Sequence, residues 1–110
     1  MDDSPEVKKA RTESAFREVN ERIAESAERF DAGSTEFICE CCDPWCTDHV
    51  EATVEQYEQV REDGTTFMLA PGHGDGTVER LIEHRGRFMV VEKVHSAARE
   101  LVRRLNPRTA

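Results

Sequence analysis

The stretch FICECCDPWCTDH, residues 37–49, holds all four cysteines of the chain inside eight positions. Thiols gathered this tightly point to a metal, a redox pair or a disulfide staple. Cys39, Cys41 and Cys46 form C-x-C-x4-C. At the end of a strand, residues i and i+2 project to one face, so Cys39 and Cys41 can reach the same ion. The next four residues let the chain turn back with Cys46, and Asp43-Pro44 supplies the turn chemistry. Trp45 is placed to lie over the sulfurs and exclude water. Zinc takes four N or S donors in a tetrahedron, at about 2.3 Å for sulfur and about 2.0–2.1 Å for nitrogen. The fourth donor is open among Cys42, His49, His73 and a residue or ligand outside this set. Cys42 adjoins Cys41 and tends to point elsewhere, and His49 follows Cys46 by only three residues. His73 stands in Pro71-Gly72-His73-Gly74, after a predicted strand, where flanking glycines let the ring turn inward. It is the preferred fourth ligand.

Composition favours a reduced, metal-bound cluster. The 110 residues suit one domain, but hydrophobic content is 37% against 35% charged, so the core is thin and gains from a cross-link. No apolar run approaches the roughly 18 residues of a membrane span, and MDDSPEVKK lacks the apolar region of a signal peptide. A cytoplasmic setting follows as the expectation, and there clustered cysteines read as metal or redox chemistry. Glu40, Asp43 and Asp48 raise thiol pKa values and argue against a reactive thiolate. A bound Zn²⁺ reverses that logic, because it deprotonates its own ligands. Adjacent Cys41 and Cys42 suit an iron–sulfur cluster poorly. Three sulfurs quench the Lewis acidity of zinc, so the site reads as structural and the chain as no enzyme.

Charge is uneven around a net −8. Residues 32–77 carry 1 basic and 10 acidic groups, which repel phosphate, whereas residues 78–110 carry 8 basic and 4 acidic. Nucleic acid is therefore not the expected partner. A nucleic-acid adaptor acting through Arg99, Arg103, Arg104 and Arg108 is a competing reading.

Around the cluster the pattern predicts an α+β fold: a small antiparallel sheet, a long N-terminal helix, a C-terminal helix and a zinc-stabilised knuckle. Ser4 and Pro5 open a helix that runs to residue 31, and Gly33 follows as a stop. Its stripe is Phe16, Val19, Ile23, Ala27 and Phe30, expected to pack on the sheet or on a second copy. Residues 1–15 lack a stripe through Arg11 and are expected to fray, 16–105 form the single domain, and 106–110 form a tail. Strands are predicted at 35–39, 47–52, 66–70 and 87–93. Helices are predicted at 54–62 with a Thr53/Gln56 capping box, at 77–84 capped by Thr77 and closed by Gly86, and at 94–105. His84 reads as a helix-end residue and His95 as part of the last helix's first turn.

FREVNERI (16–23), FICECCDPWC (37–46), YEQVR (57–61), FMLAPGH (67–73) and VVEK (90–93) occur in this order. The set resembles a group of small, mostly actinobacterial proteins that share a C-E-C-x4-C box, F-x-V-x-P-G-H and V-V-E-K. The resemblance covers about residues 16–93. It implies a zinc site of Cys39, Cys41, Cys46 and His73, and no reaction, substrate or partner. Cys42 departs from the pattern and is left as a spare thiol. The expected function is a small bacterial zinc-binding protein, acting as a binding or regulatory module for another protein, as monomer or homodimer. A redox sensor using Cys42 and a small zinc hydrolase compete with that expectation.

Overall fold

The computed structural model describes residues 4–30, 33–76 and 78–108. The elements run α1 (Pro5–Arg29), β1 (Ser34–Ile38), β2 (His49–Thr53), α2 (Val54–Val60), β3 (Thr66–Leu69), β4 (Glu79–His84), β5 (Met89–Lys93) and α3 (Ser96–Arg104). The fold is α+β, with a long N-terminal helix, a C-terminal helix and antiparallel sheets. The β structure divides in two: β1 pairs with β2, and the second sheet has the order β3-β5-β4. The end of β1 ties the two together, because the Glu40 N–H donates to the Met68 carbonyl at 2.9 Å.

Local signals explain most elements. The Ser4 hydroxyl accepts from the Val7 N–H and Pro5 takes the first helical position. Thr53 and Gln56 make both bonds of a capping box at α2. The stretch before Arg11 is helical from Pro5, with Val7 and Ala10 buried. Residues 31 and 32, where the pattern ends the first helix, and Thr77 lie outside the described residues.

Residues 79–84 form a strand, not a helix: Glu79–His84 pairs with β5 through a hairpin whose Arg85 N–H donates to the Phe88 carbonyl, with Gly86 at φ 67°. So short an apolar run carries too few turns to distinguish the two periods, and pairing with β5 decides. His84 accordingly ends a strand, and His95 is the N-cap of α3.

The expected packing of the α1 stripe on the sheet is met only in part. Of the apolar stripe only Ala27 is buried; Phe16 and Ile23 are half-buried, and Val19 and Phe30 are exposed. The buried face instead carries Glu13, Arg17, Asn20 and Glu21 beside Val7, Ala10, Ala24 and Ala27. A thin apolar core is here filled with long polar stems whose heads find partners. The Arg17 guanidinium lies 4.6 Å above the Phe67 ring and donates to the carbonyls of Gly64 and Val102, each at 2.7 Å. Tyr57, stacked on Phe37, donates to Glu21.

Lys93 is fully buried, paired with the Glu79 carboxylate of β4 and in contact with the Glu13 carboxyl of α1. Burial, then the adjacent Glu79, pushes the Glu13 carboxyl up from 4.5 to about 9, against the pull of Lys93. The folded state thus holds a proton that the unfolded chain releases above pH 4.5. Its stabilisation is complete below pH 4.5 and is lost as pH rises through about 9. Glu13→Gln, which cannot titrate, should flatten the fall in melting temperature across that window. Parallel slopes in the two proteins would mean that Glu13 is already ionised in the folded state.

Candidate metal centre

Each end of the Cys-rich segment is fixed by a neighbour in sequence. Cys39 follows β1, and its N–H donates to the Asp48 carbonyl at 3.1 Å, prolonging the β1–β2 pairing by one bond. The loop then turns at Asp43-Pro44. The Asp43 carboxylate accepts from the Trp45 N–H and its carbonyl from the Cys46 N–H, which brings Cys46 back toward Cys39. His73 arrives from β3 through a turn over Ala70-Pro71-Gly72-His73. The His73 N–H donates to the Ala70 carbonyl at 3.2 Å, and Gly72 has φ 85°, the arrangement that Pro-Gly favours in a type II turn.

These segments bring one donor atom each from Cys39, Cys41, Cys46 and His73 within 4.8 Å of one another. The His73 Nδ1 lies 3.7 Å from the Cys39 Sγ and 3.6 Å from the Cys46 Sγ. A regular tetrahedron of zinc dimensions separates sulfur from nitrogen by about 3.6 Å. Cys39 and Cys41 are buried; Cys46 and His73 are half-buried. The donor set therefore fits a metal ion among the described residues. The other face of His73 is also held: Nε2 is 2.9 Å from the Asp48 carboxylate. That contact places the proton on Nε2 and leaves the Nδ1 lone pair facing the thiols.

Burial drives the Cys39 and Cys41 thiols above their ordinary value of 9.0; Cys41 and Cys46 add to the shift at Cys39, and Cys46 adds to it at Cys41, where the Asp43 backbone and Cys39 oppose it. At Cys39 the Ala70 N–H, 3.1 Å from the sulfur, works the other way. Desolvated thiols packed together resist ionisation unless a cation supplies the compensating charge. A metal ion does so directly.

Cys42 stands apart from this group. Its thiol faces the Asp75 carboxylate at 3.7 Å, and burial, followed by Glu13, Asp75 and Glu79, pushes it up to about 11. His49 is exposed and pairs with Glu36 at 2.7 Å. Trp45 does not cover the sulfurs; it is 86% exposed. The Asx turn at Asp43 directs Cys46 inward and leaves the intervening Trp45 outside. The basic C-terminal third is largely neutralised. Arg108 forks onto Glu21 and Glu58, while Arg99 donates to the Lys93 carbonyl and pairs with Glu92.

Sequence reasoning missed the clamp beneath the site. Glu40, fully buried and between Cys39 and Cys41 in sequence, accepts from the Met68 N–H at 2.9 Å and from the Asn20 amide at 2.7 Å. Asn20 also donates to the Ile38 carbonyl and accepts from the Ile38 N–H, both at 2.9 Å. Burial raises the Glu40 pKa, against these donors. The available signal was the polar spacing Glu13, Arg17, Asn20, at helical period like the apolar stripe.

Comparison with protein-family models, with curated proteins and with solved structures finds no match to the chain.

Removing the carboxylate behind His73 should weaken metal binding without unfolding the chain. Asp48→Ala is expected to lower metal affinity about 10–100-fold in a chelator competition. Its metal-free melting temperature should match that of the native chain, since the Asp48 side chain is mostly exposed. Unchanged affinity would mean that Asp48 does not orient the ring.

Proposed function

We propose that this chain is a small zinc-binding protein whose Cys39, Cys41, Cys46 and His73 hold one Zn²⁺ in a structural site. The observation that carries this is the approach of the His73 Nδ1 to the sulfurs of Cys39 and Cys46, at 3.7 and 3.6 Å. Three sulfurs and one imidazole are a donor set that zinc accepts, and hard cations such as Mg²⁺ and Ca²⁺ prefer oxygen. Zinc would link the end of β1, the loop before β2 and the loop after β3, closing a 34-residue separation between Cys39 and His73. In a chain with a thin apolar core, that binding energy becomes folding energy.

With its four positions filled by protein, the ion has no place for a reacting water, which favours a structural over a catalytic role. The module is read as serving another protein in a reducing, cytoplasmic compartment of a bacterial cell. No helix among the described residues is long and apolar enough to cross a membrane. A redox sensor through Cys42 is disfavoured by a thiol pushed up to about 11 and turned toward Asp75. A phosphate-binding adaptor is disfavoured by the engagement of Arg99 and Arg108 with carboxylates.

Native mass spectrometry should find one zinc per chain, removed by chelator, with a concurrent fall in melting temperature. His73→Ala should bind zinc far more weakly, whereas Cys42→Ser should bind it as the native chain does. A chain that binds no zinc, or that keeps its full thermal stability after losing it, would contradict the proposal.

A further inference from the structure

We propose that the open edge of β4 pairs antiparallel with the same strand in a second copy of this chain. β4 is bonded on one side to β5, and the sheet order leaves its other side at the edge. Every residue from Arg80 to His84 is exposed, with Leu81 at 59% and Ile82 at 48%. An edge with exposed aliphatic residues is a template for strand addition.

The occupant is argued from the sequence of the strand, Glu79-Arg80-Leu81-Ile82-Glu83-His84. Two copies run antiparallel about a two-fold axis perpendicular to the sheet, so paired residues must share a face. In a regular strand Arg80 and Glu83 would lie on opposite faces. Here a bulge intervenes: Arg80 stands opposite Glu92, Leu81 opposite Val91, and Glu83 opposite Val90, with Ile82 as the extra residue. Glu92 and Val90 are two apart in β5, so Arg80 and Glu83 share one face. A bulge often turns an edge away from partners; this one makes the edge complementary to itself. Pairing centred between Leu81 and Ile82 sets each Arg80 against Glu83 of the second copy, twice, and joins the exposed aliphatic residues between them. In their present pairs, Arg80 with Glu92 and Glu83 with Arg85, Arg80 and Glu83 remain exposed at the surface, where such pairs exchange at little cost.

Sedimentation velocity on the zinc-loaded whole chain, up to about 1 mM, tests this. A monomer–dimer equilibrium is expected. Arg80→Glu alone and Glu83→Arg alone each place like charges opposite one another twice, and should weaken dimerisation about tenfold or more. An equimolar mixture of the two variants restores opposite charges at both contacts and should dimerise at least as well as the native chain. Both positions are exposed, and a thermal melt of each variant checks that it folds. A native chain that stays monomeric, because another partner or none takes the edge, overturns the proposal. So does a dimer indifferent to both substitutions.

Discussion

Three thiols and an imidazole meet within 4.8 Å, and two of the thiols are buried. This meeting is what the rest of the structure depends on. Left alone, such a group gains little: burial makes Cys39 and Cys41 harder to ionise, and neutral thiols bind one another weakly. With a cation at the centre, the same closeness becomes the strongest cross-link available to a chain of this size. The segments it would join are separate in sequence and in sheet, and backbone hydrogen bonds alone bridge them thinly. The placement of β1 against β3, the turn at Asp43 and the turn at Gly72 all serve that meeting point.

The interior around it is unusually polar. Arg17, Glu13, Glu40 and Lys93 are all buried to 0% exposure. Buried ionisable groups of this kind are weak sources of net stability, because desolvation offsets most of the attraction, yet removing one member of a set is costly. Their effect is to specify position. Asn20 and Glu40 fix the backbone on both sides of Cys39 from α1 and β3. Lys93 holds Glu13 and Glu79 together, which ties α1 to the second sheet. The first helix acts as a polar scaffold for the segment that carries Cys39 and Cys41 as much as an apolar lid on a core.

Much of the site was legible in the sequence, because its signals are local. C-x-C at a strand end and Pro-Gly before His73 each carry their geometry in a few residues, and so do the caps at Ser4 and Thr53. What was not legible depends on partners distant in the chain. Residues 79–84 take the strand state from β5, and their own composition does not dictate it. The buried face of α1 is chosen by Gly64, Val102 and Ile38, whose groups satisfy Arg17 and Asn20 and so allow a polar face to turn inward. Periodicity of apolar residues points to the other face. Trp45 illustrates the same limit, since a turn that aims Cys46 inward leaves its predecessor in solvent.

X-ray absorption at the zinc edge of the zinc-loaded protein tests the central claim most directly. Three sulfurs at about 2.3 Å and one nitrogen at about 2.0–2.1 Å are predicted around each ion. A shell of four sulfurs, or one dominated by oxygen, would contradict the assignment of Cys39, Cys41, Cys46 and His73.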